Sequence, residues 1–515
     1  MSSSLRRPAA ATPISKPSAK GLNSHNRWSS LANLPQEEDE SDRLSNLPEG
    51  VLLDILGRLD IAHAARTRIL ARRWKEIPSM LSNFFITVGS YDDEHNRELT
   101  RDDVARANAN VLGATRSLLE SRASTSLCTS IDLLRVQFFL GDGHVTSIGQ
   151  SLANTMATNK VGSAELTLFT MKEGTRCRKD DVLIYGMQFK SFLDACPNAF
   201  SGLARLKLEN LRLAESSGIP EIFSICKQLE FLRLYNCDMG YLSLLQVSHP
   251  LLGELEIVKC DFERVDLVRL PKLTTLTYSW WVCEHDPLSF DYVPLPQTLS
   301  LTSMALARHK VLKLSDFLGK ATTISDLHLN FLCEKIWVKP EEPNQLLQVF
   351  HKLRHVTLTH ISEECDLNWT LFILQGAPYL QELCIKVWDH PCDIIEDERQ
   401  RKIYAFSEDK KDAACAVWEA HASDFKHHNL SVLRVFGFQC EDRFVNYVKS
   451  VMEASVALED IYLYEKPVCA YCEHMRQNDR YPRTSRLRTA LRNILLFDRG
   501  MCSPLRIHFP LSTAT

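Results

Sequence analysis

No uninterrupted apolar stretch in this 515-residue chain approaches the ~20 residues a helix needs to span a bilayer. No secretory apolar run precedes the cysteines, and 16 cysteines scattered through the chain do not make a disulfide framework. They read as reduced thiols of the cytoplasm or nucleus. A net charge of −4 removes the basic excess that general binding of nucleic acid or an anionic membrane requires. Catalytic signatures are missing as well: no Gly-rich loop closing on Lys-Ser/Thr, no Gly-x-Ser-x-Gly elbow and no His-Glu-x-x-His. With 17 His and 64 acidic residues, chance acid–base pairs are plentiful, and none is specific enough to nominate a catalytic residue. Cys469-Ala-Tyr-Cys472 with His474 has local metal-ligand spacing, but the second ligand pair of a structural zinc site is not supplied nearby. Cys283-Glu284-His285 is weaker still, so no metal and no cofactor is expected.

Acidic residues are also absent from residues 1–36, a stretch rich in Ser, Ala, Pro and Arg. That composition is shared with transit peptides, yet Pro8, Pro13 and Pro17 interrupt any amphipathic helix there. The expectation for residues 1–41 is a disordered tail, closed by the acidic run Glu37-Glu38-Asp39-Glu40.

The stretch after this tail is dense in signal. Residues 42–78 read DRLSNLPEGVLLDILGRLDIAHAARTRILARRWKEIP. Pro48 suits a first helical turn, where its missing N–H costs nothing, and Glu49 complements the helix dipole. Val51, Leu52, Ile55, Leu56 and Leu59 then recur at helical spacing and share one face. A second apolar run passes through Ile61, Ile69 and Leu70 to Trp74 and Ile77, and Pro78 ends it. A segment this short rarely folds without outside support, which points to docking.

The pattern Leu44-Ser45-x-Leu47-Pro48, Ile55-Leu56, Leu59, Ala64-Ala65-Arg66-Thr67 and Leu70-x-x-Arg73-Trp74 resembles a plant F-box, with matching order and gaps. The resemblance implies docking on the Skp-type adaptor of a cullin-based ubiquitin ligase. The adaptor-binding residues it implies are Leu47, Pro48, Ile55, Leu56, Leu59, Leu70 and Trp74. Asp60, His63 and Arg68 depart from the family pattern.

Beyond it, Leu-x-x-Leu-x-Leu returns many times: Leu203/Leu206/Leu208, Leu229/Leu232/Leu234, Leu252/Leu255/Ile257 and Leu273/Leu276/Tyr278. Then come Ile324/Leu327/Leu329, Leu353/Val356/Leu358, Leu380/Leu383/Ile385, Leu430/Leu433/Val435 and Leu458/Ile461/Leu463. An earlier candidate is Ile131/Leu134/Val136. Successive starts lie 26, 23, 21, 51, 29, 27, 50 and 28 residues apart, in the leucine-rich-repeat range apart from two long gaps. Each gap hides a degenerate unit or an insertion. Each unit reads as a short strand followed by a turn and a helical or irregular return. Cys237 and Cys260, three residues past the last core position, are expected to turn inward as core thiols. Trp281 holds the same place in its own unit, and with Trp280 and Tyr278 it reads as core filling rather than as a rim anchor for a partner.

Residues 430–464 resemble the FBD region that closes many plant F-box repeat proteins: a strand, Gly437-Phe438, a helix carrying Val445, Val448, Val451 and Met452, then a second strand. Its helix is expected to cap the repeat array. Arg476, Arg480, Arg483, Arg486, Arg488 and Arg492 read as a solvated basic face on a last helix, with an anion or acidic-partner site as the alternative.

The expected architecture is α/β, a helical F-box followed by an irregular leucine-rich-repeat solenoid. Its parts are a tail (1–41), the F-box (42–82), a helical connector (83–129) and repeats (130–425) with a charged insertion near 390–426. An FBD-like unit (426–466) and a C-terminal segment (467–515) complete it. The expected function is non-catalytic: docking on the Skp-type adaptor, and through it a cullin, and capture of a target protein of unread identity. Neither nucleic acid nor membrane is an expected partner. Asp60, His63 and Arg68 keep open a second reading, a repeat module that binds protein outside a ligase.

Overall fold

In a computed structural model of the chain, the described residues are 47–59, 63, 67, 81–88, 99–123, 130–213, 218–240, 243–281, 286–304, 311–332, 336–388, 425–466, 480–497 and 505–510. The expected tail, the pair Cys469/Cys472, Cys283-Glu284-His285 and nearly all of the charged insertion lie outside them. The chain divides into two compact units, Met1–Pro48 and Glu49–Thr515; of the first, only Leu47 and Pro48 are described.

The second unit opens with helix α1 (Glu49–Leu56) and then builds strands β1 (Asn83–Ile86), β2 (Ile131–Phe139), β3 (Val161–Phe169), β4 (Arg205–Glu209) and β5 (Phe231–Tyr235). Next come β6 (Leu244–Ser248), β7 (Glu254–Val258), β8 (Arg264–Arg269), β9 (Thr275–Trp281), β10 (Leu288–Tyr292) and β11 (Thr298–Ser303). The series ends with β12 (Asp326–Asn330), β13 (His355–Ile361), β14 (Glu382–Val387), β15 (Val432–Phe436), β16 (Asp460–Tyr464) and β17 (Arg506–His508). Among the described residues, fourteen of these form one parallel sheet in the order β1-β2-β3-β4-β5-β7-β9-β11-β12-β13-β14-β15-β16-β17. The remaining three form a second parallel sheet, β10-β8-β6.

Every neighbouring pair is parallel, so each strand must return through a crossover before the next one begins. Crossover length decides its form. Units that start 26 to 29 residues apart return through helices, as at α6 (Gly218–Ile225), which follows α2 (Arg101–Ala123), α3 (Val145–Thr158), α4 (Lys179–Ala195) and α5 (Pro197–Phe200). Units 21 or 23 residues apart are too short for a packed helix and return through β6 and β8 instead. Helices resume with α7 (Leu314–Phe317), α8 (Pro343–Phe350) and α9 (Leu371–Gly376).

The register is the leucine pattern made physical. Leu206, Leu232, Leu255, Leu276, Leu299, Leu327, Val356, Leu383, Leu433, Ile461 and Ile507 stand side by side on successive strands, and all are buried. Deleting one such buried leucine side chain costs about 2–5 kcal/mol in general. The gap between 273 and 324 holds a degenerate unit: β11 pairs with β9 and β12 and buries Leu299 and Leu301. Across the second gap β14 pairs directly with β15, so the residues between them are an insertion.

A recurring turn ends the strands. Asn210, Asn236, Lys259, Trp280 and His360 all take positive φ, between 50° and 66°. That left-handed step swings the next side chain inward, and Leu211, Cys237, Cys260, Trp281 and Ile361 are all buried. At the equivalent Gly437 (φ 76°) an added Cβ would lie 2.1 Å from the Val387 carbonyl oxygen, so only glycine fits. Cys260 Sγ reaches the Leu234 carbonyl at 3.4 Å, and the Cys237 N–H donates to Cys260 Sγ at 3.3 Å. Burial pushes the Cys237 thiol well above its ordinary pKa, so it serves as core. Tyr278, Trp281 and Trp337 pack ring to ring at 5.2–5.3 Å, as the core reading expects of the first two, whereas Trp280 is corrected: it is half-buried, with Lys259 Nζ 5.2 Å from its ring.

Two buried histidines brace the array. His249 Nε2 contacts the Cys226 carbonyl at 3.1 Å, and His427 Nε2 contacts the Ala377 carbonyl at 2.9 Å. Each carbonyl belongs to the preceding unit, three residues before its first core leucine, as each histidine does in its own. The Leu251 N–H donates to His249 Nδ1, and the Leu430 N–H to His427 Nδ1. Only the neutral imidazole with its proton on Nε2 satisfies both contacts. Burial lowers the pKa of both.

Two expectations are corrected. The connector is not helical throughout: β1 lies within it and pairs with β2, while α2 supplies the helix. Helix α10 (Asp442–Ala454) does not cap the array. It is one more crossover, its Tyr447 hydroxyl bonded to Thr370 at 2.8 Å, and the chain continues through α11 (Ser485–Leu496) to β17, which pairs with β16. The apolar rows Ile461 and Leu463 need a cover on their far side, and the C-terminal segment provides it.

Candidate functional site

Helix α1 carries one wide apolar arc, and only part of it is buried. Leu52 and Leu56 are fully buried. Val51, Ile55 and Leu59, four residues apart, are 44%, 37% and 36% exposed. Leu59 lies just past the helix, in a turn held by the Gly57 N–H to the Leu53 carbonyl (2.8 Å) and the Leu59 N–H to the Leu56 carbonyl (3.1 Å). Arg58 and Asp54 pair at 3.1 Å on the solvent side; so exposed a pair fixes orientation more than stability.

The expected adaptor residues therefore separate. Ile55 and Leu59 come together on the exposed stripe. Leu56 is fully buried and packs the fold. Leu47 is half-buried and Pro48 exposed, directly before α1 in the chain. Leu70 and Trp74 lie outside the described residues. Val51 belongs with Ile55 and Leu59, and its spacing of four from Ile55 is the signal that identifies it.

The second candidate surface is the open face of the long sheet, built by residues that alternate with the buried leucines. Its first strands carry an ionic ladder. Arg135 pairs with Glu165 at 2.6 Å, Arg205 with Glu254 at 3.1 Å, and Arg233 with Glu256 at 3.5 Å. In the middle strands Ser279 Oγ donates to Thr302 Oγ1 at 3.3 Å, and Thr302 is buried there. The last strands present stacked rings. Phe436 and Tyr464 stack with centroids 4.0 Å apart and planes nearly parallel, Tyr462 and His508 lie 4.5 Å apart, and the Arg434 guanidinium covers Tyr462 at 4.5 Å. Asp460 contacts His508 and Arg506, each at 2.7 Å, and those partners hold its carboxyl below the usual range. The leucine register places all these residues, but no motif marks them.

The basic cluster near the C-terminus is largely structural. Arg480 pairs with Glu441 and Arg483 with Glu465. Arg488 donates to the Pro482 carbonyl at 2.8 Å and Arg492 to the Ile507 carbonyl at 3.0 Å. Arg486 is exposed, and Arg476 lies outside the described residues. Among the described residues no group of three or more His, Cys, Asp or Glu could hold a metal ion, and no helix is long and apolar enough to cross a membrane.

Comparison with known proteins agrees with this anatomy. Residues 44–86 match the F-box domain. Residues 187–499, more than half of the chain, match the family described as At1g61320/AtMIF1, LRR domain. The chain is 24% identical over 355 residues to the F-box/FBD/LRR-repeat protein At3g52680 of Arabidopsis thaliana, covering 66% of this chain and 70% of that one. It is 23% identical over 364 residues to the putative FBD-associated F-box protein At5g50270 of the same plant, covering 66% and 81%. With an F-box match ahead of it, a parallel sheet of stacked leucines and the family match across most of that sheet, the chain belongs to the F-box leucine-rich-repeat proteins, its body a member of the At1g61320/AtMIF1 LRR-domain family.

Proposed function

We propose that this protein is the substrate-recognition subunit of a Skp–cullin–F-box ubiquitin ligase, acting where the Skp-type adaptor is found, in the cytoplasm or nucleus. The observation that carries the reading is the exposed stripe Val51, Ile55 and Leu59 within the F-box match. Three apolar side chains left in water beside the buried Leu52 and Leu56 on the same apolar arc are anchors awaiting a partner. Leu47, Pro48, Leu70 and Trp74 complete the proposed adaptor contact. The open face of the repeat sheet holds the target, and the bond chemistry belongs to other subunits. Holding target and ubiquitin-charged enzyme on one scaffold raises their effective concentration, which is the whole contribution asked of this chain.

The test is capture of the Skp-type adaptor by the full chain, compared with a Leu47→Asp/Pro48→Ala variant and with Ile55→Asp. Ile55 is exposed, so its replacement leaves the fold intact. Binding by the parent, reduced at least tenfold in Ile55→Asp with the melting temperature unchanged, is the expected result. A folded parent chain that captures no adaptor overturns the ligase reading.

A further inference from the structure

A cavity of about 860 Å³ opens between α4 and α6. A close approach shapes it. The Arg212 N–H donates to the Val182 carbonyl at 2.9 Å, and a Cβ at Gly186 would lie 2.0 Å from the Arg212 carbonyl oxygen. That contact seats one side of α4 on the turn after β4. The neighbouring line of the helix, Leu183, Met187, Lys190 and Asp194 at intervals of four, three and four, is left as a wall of the cavity. Leu213 and Met239, both buried, line it from within, and Gly218 and Glu221 line it from α6. Leu183 and Met187 are 43% and 58% exposed, and Ile184 beside them is 46% exposed. The apolar surface therefore runs out of the cavity onto the open side of α4, farther than a small molecule held inside would cover.

Charge narrows the occupant further. Both cations that line the cavity are already paired. Lys190 Nζ reaches Asp194 at 2.5 Å and Glu221 at 2.8 Å, which ties α4 to α6. Arg212 donates twice to Asp238, at 2.5 and 2.8 Å. Two cations thus face three carboxylates, and Asp261, exposed and next to Asp238 in the following turn, adds a fourth. Helix α4 also ends here, at Ala195, with no basic residue in its last turn, so the negative end of its dipole adds to the surplus. Lys190, Asp194, Arg212 and Glu221 line the cavity themselves, so the acidic surplus and the apolar wall face the same occupant. An acidic segment or an anionic membrane would be repelled there.

We propose that this cavity docks a basic amphipathic segment of a partner protein, one that seats an apolar side chain against Leu183, Met187 and Met239 and brings a lysine or arginine to Asp194 and Glu221. The unbranched methionine side chains can adjust to the shape of the anchor. The site shares no residue with α1, so it stands or falls independently of adaptor binding.

The test uses the full chain and two fluorescent probes, short synthetic helical peptides with leucines three and four residues apart. One carries lysine beside the leucines and the other glutamate. The lysine peptide binds at least tenfold more tightly, and the margin narrows as salt rises from about 0.05 to 0.5 M because the attraction is screened. Leu183→Gln/Met187→Gln, at two exposed positions, reduces its binding at least tenfold with an unchanged melting temperature. Asp194→Lys puts a cation at the end of α4, where the dipole accepts it, and shifts the preference toward the glutamate peptide. Ile55→Asp leaves peptide binding as it was. Equal binding of both peptides, or binding indifferent to the substitutions at Leu183, Met187 and Asp194, overturns the proposal. So does a lysine peptide that fails to bind, whether or not the uncharged dye N-phenyl-1-naphthylamine takes its place, or dimerisation in light scattering that is lost in Leu183→Gln/Met187→Gln.

Discussion

The open face of the long sheet is made twice from one backbone register and two chemistries. From β2 to β7 it is an ionic ladder; from β14 to β17 it is a stack of rings with arginine laid over it. In both places in-register parallel strands bring equivalent positions alongside each other, as Phe436 stands beside Tyr464 and Lys207 beside Arg233. Register fixes only which residues meet. Whether the meeting is strong depends on what water does to it. Arg135 remains 39% exposed against Glu165, so solvent and salt weaken that pair. Phe436 and Tyr464 exclude water from their shared face and depend on no charge.

Three measurements set the two ends against each other. The largest effect is expected at Tyr464→Ala, which removes a ring from the stack and the acceptor of the Arg434 hydrogen bond at 3.1 Å. The two losses together should cost about 2 kcal/mol in urea unfolding, with little change in about 1 M salt. A loss that salt abolishes would erase the distinction.

Acid is expected to act on both ends alike, with an effect of intermediate size. His249 lies in the ionic half and His427 in the aromatic half, and burial lowers the pKa of each. The unfolded histidine binds a proton that the folded one refuses. Stability is therefore complete above the unfolded value near 6.5 and is lost as pH falls from there toward the folded values. Urea midpoints taken from neutral pH into this range should decline, and His427→Leu should flatten the decline. An unchanged slope in His427→Leu would mean that this imidazole takes up its proton over the same pH range in the folded chain as in the unfolded one.

The smallest effect belongs to Glu165→Gln. Glu165 contacts Arg135 at 2.6 Å and Arg205 at 3.9 Å. Its loss should cost below about 1 kcal/mol at low salt and nothing measurable in about 1 M salt. A larger, salt-resistant loss would place this ladder beside the aromatic one in strength.

The residues that carry the long sheet are legible because leucine recurs at a period set by one strand and its return. Leu206, Leu232 and their equivalents can be named from that period alone. β3 escapes it because Ala164 stands where leucine would announce it, and β11 because Pro296 opens its unit. The second sheet is hidden for a different reason. Leu245/Val247, Val265/Leu267 and Leu288/Phe290 alternate as strands do, but a helical return is the commoner one, and only the 21- and 23-residue spacings argue for extension. At α1 the apolar positions are legible, while their division between interior and surface is not. Leu56 and Ile55 are adjacent in sequence and opposite in fate, and burial depends on what packs behind the helix.

The direct pairing of β14 with β15 has a bearing on how this protein tolerates being cut. Five residue pairs join the two strands in register although some forty residues intervene along the chain. The hydrogen-bond ladder thus passes between neighbours in space that are distant along the backbone. Loop-closure entropy grows only slowly with length, so the long stretch between the two strands adds little to the cost of bringing them together, and the sheet itself carries the contact. A chain nicked between 389 and 424 should behave as two complementary fragments held by a shared sheet, and that position is the natural place to split the molecule or to splice in a foreign domain.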